Sequence, residues 1–341
     1  MAQLKHIALF PGQGSQHVGM AKDFYSSFKV AKEVFEEASD AISVNLKKLC
    51  FDGPESDLTL TENTQPCLLT ASIAAFRVAQ KEVSFSPAVV AGHSLGEYSA
   101  LVAAGSISLN VAVRWVRERG LAMQKAVPAG EGTMAAIIGL EDEQVDQLCK
   151  NATSIAKEQR SKGEFPEISV EAIVQPANFN SPGQVVIAGS IDAVAAALSL
   201  IKTEDEFKGG KGIPLQVSAP FHCSLMAPAR DRMAQLFSET NSLEKPRPLE
   251  CAYVPNRTAR MTSESGVIFE LLIEQIDHPV LWKQSMETLL KVGFTTGFEF
   301  GPGKVLQGLT KRISTPLGIK SSLLGVSDSS GLKSVEEAMS A

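Results

Sequence analysis

Apolar positions along the first part of the chain follow two rhythms. Short unbroken apolar runs at 7–10 and 89–92 have the length of strands buried on both faces. The segments 20–41, 66–81, 94–104 and 110–126 instead place apolar residues three and four apart, as amphipathic helices do. Ser108 stands just ahead of the last of these, where an N-cap belongs. This alternation predicts a mostly parallel sheet covered by helices. Past Gly130 the order becomes strand 134–139, helix 141–150, strand 168–174, strand 185–188, helix 191–201 and strand 212–217. That βαββαβ order is a ferredoxin-like unit. The polar stretch 153–167 reads as a surface excursion between its first helix and second strand. Helices resume beyond 225, followed by a strand at 296–300, the turn Gly301-Pro302-Gly303 and a helix at 304–313. The prediction is an α/β chain in which a small domain, 130–215, interrupts a discontinuous large domain, 1–129 and 216–314. The tail, 315–341, carries weak order signals.

Composition narrows the function classes. A formal net charge of -6 on 341 residues offers no basic surplus for nucleic acid. The five cysteines, Cys50, Cys67, Cys149, Cys223 and Cys251, are scattered, with no C-x-x-C pair and no His/Cys cluster at metal-ligand spacing. They read as reduced thiols of a cytoplasmic protein, and no metal site is expected. No apolar run approaches the roughly 18 residues of a membrane span. Residues 4–10 enter a strand, not a signal or transit segment.

Gly92-His93-Ser94-Leu95-Gly96 spells Gly-x-Ser-x-Gly between an apolar run and a helix-prone stretch. The spelling is short enough to recur by chance, so the strand before and the helix after carry the reading of Ser94 as a nucleophile on a sharp turn. Main-chain N–H groups at a helix start point at developing negative charge there. An oxyanion hole takes one donor from the residue after the serine and one from a loop after another strand, which nominates Leu95 and Gln13. The glycine-rich loop at 10–16 does not read as a dinucleotide fingerprint, because the third glycine position is His17.

A serine nucleophile needs a base. His222, in Ala219-Pro220-Phe221-His222-Cys223, and His278, in Asp277-His278-Pro279, both sit in loops, and the residue pattern leaves both open. Arg119 is the other unusual residue: helical spacing puts it on one stripe with Ala112, Trp115, Val116 and Met123. A buried guanidinium needs an anion. A protein carboxylate, a snorkelling path to water and a substrate carboxylate held bidentately each satisfy that demand.

In order along the chain, Phe10-Pro11-Gly12-Gln13-Gly14-Ser15-Gln16, Gly92-His93-Ser94-Leu95-Gly96-Glu97-Tyr98, Arg119-Gly120, Asn178-Phe179-Asn180-Ser181-Pro182-Gly183-Gln184, His222 and Gly301-Pro302-Gly303-Lys304-Val305-Leu306 closely resemble the malonyl-CoA:acyl carrier protein transacylases. The resemblance implies an α/β-hydrolase-like core carrying a ferredoxin-like subdomain, with the active site in the cleft between them. It implies Ser94 as nucleophile, His222 as its base, Arg119 on the malonate carboxylate, and Gln13 and Leu95 as oxyanion donors. It also implies that a main-chain carbonyl near Gln275, not an acidic residue, orients the histidine. Malonyl-CoA and a holo acyl carrier protein follow as partners and fatty-acid synthesis as the setting. No metal or redox cofactor and a monomeric state are expected with them.

Two stretches depart from the family pattern: 153–167 is longer, and Pro255-Asn256-Arg257-Thr258 replaces the usual Asn-Val-x-Ala. Phe221 stands where many members have Ser and malonyl-selective polyketide acyltransferases have Phe, which favours malonyl over methylmalonyl. A free-standing polyketide acyltransferase is the near alternative. A serine hydrolase such as a thioesterase shares Ser94 and His222 without requiring Arg119. A non-catalytic carrier-binding module would not need all three.

Overall fold

The computed structural model describes residues 6–294 and 296–340, so Leu4 and Lys5, expected to open the first strand, lie outside the described residues. The strands are β1 Ile7–Phe10, β2 Val89–Gly92, β3 Gly132–Ile138, β4 Val174–Ser181, β5 Gln184–Ser190, β6 Lys211–Pro214, β7 Ala252–Val254, β8 Thr296–Phe300 and β9 Ser322–Val326. The chain divides into two compact units. One comprises Met1–Leu121, Ser238–Phe269 and Gln284–Ala341; the other comprises Ala122–Phe237 and Glu270–Lys283. The expected small domain, 130–215, lies inside the second unit, which also takes in the flanking loops and a helix from further along the chain.

The first unit carries a parallel sheet in the order β7-β2-β1-β8-β9. The apolar runs of β1 and β2 are buried at every position, as central parallel strands must be when helices cover both faces. Phe10, Phe76, Phe85 and Phe300 pack with ring centroids 5.2 to 6.1 Å apart and join the sheet to helix Thr61–Val83. That helix begins earlier than Pro66, where the sequence pattern starts it. Proline has no N–H for the carbonyl four residues back. Arg117 Nη1 instead donates to Glu62 O at 2.7 Å, which keeps the first turn satisfied.

Two further expectations change. The helix predicted at 20–41 is two helices, Lys22–Ser27 and Lys29–Ile42, separated by extended Phe28. Ser26 Oγ donates to Lys22 O at 2.8 Å, a local bond of the kind that competes with helix continuation. The tail is not weakly ordered: β9 pairs in parallel with β8, and helix Ser329–Ser340 follows. Asp328 Oδ1 accepts from the N–H groups of Ser330 and Gly331, both at 3.0 Å, and fastens the start of that helix. Only Val326 of β9 is fully buried, so the strand leaves a faint apolar signature.

The second unit has the predicted βαββαβ order, with sheet order β4-β5-β3-β6 and antiparallel pairing throughout. Ala135, Ile137, Val185 and Ile187 pack with Val145, Leu148, Ala152 and Ala197 from helices Asp142–Ser161 and Ile191–Thr203. The first helix runs to Ser161 and absorbs much of the stretch predicted as a loop. Ala152 and Ala156 continue its buried stripe, and Arg160 holds Asp192 through two hydrogen bonds of 2.6 and 2.8 Å. The strand expected at 168–174 is displaced to β4, an edge strand, where Pro176 is tolerated beside bulges. Among the described residues no helix is long and apolar enough to cross a membrane.

Candidate active site

The chain leaves β2 at Gly92 and enters helix Gly96–Ala103 through a turn whose centre is Ser94, with φ 51°. A left-handed backbone is costly for a residue with a Cβ and is held only where its surroundings over-determine it. Here they do. A Cβ on Gly92 would lie 1.9 Å from Gly96 O, and one on Gly96 would lie 2.1 Å from Phe10 O. Only glycines let strand, helix and the end of β1 meet this closely. His93 N also donates to Phe10 O at 3.0 Å, so the loop carrying Gln13 leaves β1 beside the serine turn. Leu95 is buried at the start of the helix.

Arg119 lies on helix Leu109–Lys125 and is 1% exposed, so its side chain does not snorkel to water. Its Nη2 donates to Ser94 Oγ at 3.1 Å and its Nη1 to Gln65 Oε1 at 2.9 Å. The guanidinium carbon sits 5.7 Å from the centroid of the Tyr98 ring. Burial pushes its pKa down while Tyr98 and Glu97 push it up, and a guanidinium in such a site remains a cation. Gly120 explains how Gln65 reaches it. A Cβ there would stand 2.7 Å from Glu62 Cα, so the glycine admits the first turn of helix Thr61–Val83 against helix Leu109–Lys125. The serine turn and the buried cation are therefore one assembly within the first unit.

In the second unit His222 is 4% exposed and, like Ser94, has a left-handed backbone, with φ 63°. Its Nδ1 lies 2.8 Å from Gln275 O. A carbonyl oxygen only accepts, so Nδ1 carries the proton and Nε2 the lone pair, the tautomer a general base needs. Gln275 belongs to the last turn of helix Ile268–Asp277, whose carbonyl end favours a developing imidazolium. His278 hangs from the same helix end, its Nδ1 3.0 Å from Glu274 O and 2.7 Å from Asp277 Oδ1. Its side chain is 40% exposed. Both histidines are thus oriented, and burial separates them. His222 and Ser224 line a cavity of about 720 Å³ in this unit, with Lys150, Gln175 and His278 on its walls. Phe221 is buried beside His222, and burial pushes the neighbouring Cys223 thiol up to about 12, which keeps it protonated and unreactive at neutral pH.

Among the described residues no group of three His, Cys, Asp or Glu side chains could hold a metal ion. An acyl transferase domain model matches residues 8–315. The malonyl CoA-acyl carrier protein transacylase of Escherichia coli K12 is 44% identical over 305 residues, covering 89% of this chain and 91% of that protein. The chain belongs to the malonyl-CoA:acyl carrier protein transacylase family. The solved structure of the malonyl CoA-acyl carrier protein transacylase from Coxiella burnetii superposes with a TM-score of 0.88 at 36% identity, covering 99% of each chain. A type II PKS acyl-carrier protein in complex with its malonyl-transacylase gives 0.87 at 40% identity, covering 98% of this chain and 99% of that one. The two-domain acyltransferase fold, a parallel α/β sheet with a separate antiparallel sheet, is the fold of this transacylase-family chain.

Sequence reasoning missed three residues of this assembly. Gln65 and Arg117 act only because two helices cross at Gly120, and Asn256, noted solely as part of a divergent tetrapeptide, donates its Nδ2 to Gly92 O at 2.6 Å. A glutamine one residue before a helix proline was the sole local signal for the first.

Proposed function

We propose that this enzyme moves a malonyl group from malonyl-CoA to the phosphopantetheine thiol of an acyl carrier protein through an ester on Ser94, supplying fatty-acid synthesis. The observation that carries the reading is the 3.1 Å contact between the Arg119 guanidinium and Ser94 Oγ. In a malonyl thioester one methylene separates the carboxylate from the carbonyl under attack. A cation meant to recognise that carboxylate must therefore stand within a few ångströms of the nucleophile, one hydrogen bond beyond a carboxylate that is itself one methylene from the acyl carbon. A hydrolase for neutral acyl groups has no use for a buried cation there.

In the first half-reaction Ser94 Oγ attacks the thioester carbonyl, and His222 Nε2 takes the hydroxyl proton. The main-chain N–H groups of Leu95 and Gln13 receive the oxyanion. Collapse breaks the carbon–sulfur bond, and the departing CoA sulfur takes the proton back from His222. The carrier thiol then runs the same steps in reverse and leaves Ser94 as it began. Thioester to oxygen ester to thioester exchanges no electrons, so the cycle calls for no redox cofactor. Phe221, beside the base, narrows the acyl site against an α-methyl branch.

Intact-mass measurement after mixing with malonyl-CoA tests the scheme. One malonyl adduct is expected on the wild type, discharged by a phosphopantetheinylated carrier, and none on Ser94→Ala. An unchanged adduct on Ser94→Ala would overturn it. Because a similar structure is a polyketide carrier with its transacylase, discharge is to be compared between fatty-acid and polyketide carriers.

A further inference from the structure

We infer that Asn256 is a positioning residue that holds Ser94 in its reactive geometry; the inference rests on the reading of Ser94 as the acyl-carrying nucleophile. The register of the parallel sheet pairs Val89 with Ala252, Val90 with Tyr253 and Ala91 with Val254. Beyond that point β2 turns into the serine elbow and β7 ends at Val254, so after Pro255 the next side chain, Asn256, arrives beside residues 92–94. It is fully buried. Its Oδ1 accepts from Ser94 N and its Nδ2 donates to Gly92 O, both at 2.6 Å. Its own N–H donates to Glu97 Oε2 at 3.1 Å, on the helix that follows the serine.

One carboxamide therefore bridges the two sides of the turn across His93, and its backbone is tied to the helix beyond. This closes a specific gap. A sharp strand-to-helix turn takes Gly92 O and Ser94 N out of sheet and helix bonding, and buried backbone groups need partners. The strained φ of Ser94 persists only if such partners hold it. Aspartate and leucine have nearly the same shape as asparagine, yet neither supplies one donor and one acceptor when ionised or apolar. The demand for a carboxamide is therefore chemical as well as steric.

The test measures the rate of malonyl adduct formation on Ser94 at saturating and subsaturating malonyl-CoA, with thermal melts, for wild type, Asn256→Asp and Asn256→Ala. An ionised carboxylate sets an oxygen against Gly92 O, whereas a protonated one restores a donor there. The charged groups around it are Glu97, which takes the Asn256 N–H, and Arg119 and Tyr253, which act on Glu97. Asn256→Asp should lower the saturating rate about 10- to 100-fold at neutral pH with little change in KM, the loss of one to two buried charge-sensitive hydrogen bonds. The deficit relative to wild type should shrink as pH falls. Asn256→Ala should show a deficit that does not depend on pH, and it keeps the test open if the aspartate variant does not fold. Saturating rates within about twofold of wild type in folded variants, or an aspartate deficit independent of pH, would overturn the inference. Lack of any wild-type adduct on Ser94 would instead overturn the nucleophile assignment.

Discussion

The serine turn and the histidine loop solve the same problem by different means. Each presents a non-glycine residue on a left-handed backbone, the half-buried Ser94 at φ 51° and the buried His222 at φ 63°. The serine turn is held mostly by neighbours in sequence, two glycines that admit strand and helix to close contact, with one carboxamide from just past the end of the adjacent strand. The histidine is held from 53 residues away, by a carbonyl at the end of a helix. Local sterics write themselves into residue types, whereas a carbonyl acceptor can come from any residue. Strain at a reactive position therefore has a readable cause in one unit and an unreadable one in the other.

The largest expected effect that separates the two regions comes from the proposed base, His222. His222→Ala should lower kcat about 10²- to 10⁴-fold, the usual loss for a general base. His278→Ala, which removes a half-exposed ring bound to Asp277 and Glu274 O, should act mainly on melting temperature. Steady-state rates with both variants decide the matter, and the reverse ordering would move the base to His278.

Arg119→Ala probes the serine side through selectivity. Loss of a desolvated bidentate partner costs the malonyl carboxylate about 2 to 5 kcal/mol, so the ratio of kcat/KM for malonyl-CoA to that for acetyl-CoA should fall about 30- to 5000-fold. Acetyl transfer, with no carboxylate to place, should change little. A constant ratio in a well-folded variant would assign the guanidinium to the protein's own Glu97 and Tyr98.

The smallest effect concerns stability and should leave the chemistry alone. In the antiparallel unit Asp192 is buried under two bonds from Arg160. Burial works to raise its carboxyl, but hydrogen bonds from Arg160 and Ser190 outweigh it and hold the group below the ordinary carboxylate range. Because the folded value is depressed, the stabilisation is present above the unfolded value of about 4 and is lost as pH falls through the folded one. Asp192→Asn should cost about 2 to 3 kcal/mol in denaturant melts at neutral pH, the low end for a pair whose arginine is partly exposed. The difference from wild type should narrow towards pH 3. A gap that stays constant into acid would mean the pair contributes packing and no charge interaction.

Much was legible from residues alone, and for physical reasons that can be named. Unbroken apolar runs marked β1 and β2 to the residue, because strands buried on both faces by helices favour such runs. The βαββαβ order, the glycine-flanked turn at Ser94 and the buried stripe that carries Arg119 are all properties of neighbours within a few positions. The family itself could be named from short motifs in order. Where polar residues occupied a regular element the reading failed, as in helix Asp142–Ser161, whose exposed face hid the stripe continued by Ala152 and Ala156, and in β4, whose Pro176 suits an edge strand.

Contacts between distant segments decided the rest. Gln65 meets Arg119 because Gly120 lets two helices touch, and Asn256 meets Ser94 because β7 lies in register beside β2. The carbonyl of Gln275 orients His222 whatever its side chain, so nothing in residue identity marks it from within the sequence. Spacing and propensity act over single turns and strands, and they set which elements form. Hydrogen bonds of buried polar groups are satisfied only after those elements pack, and that packing chose which asparagine, glutamine and carbonyl serve the reactive residues.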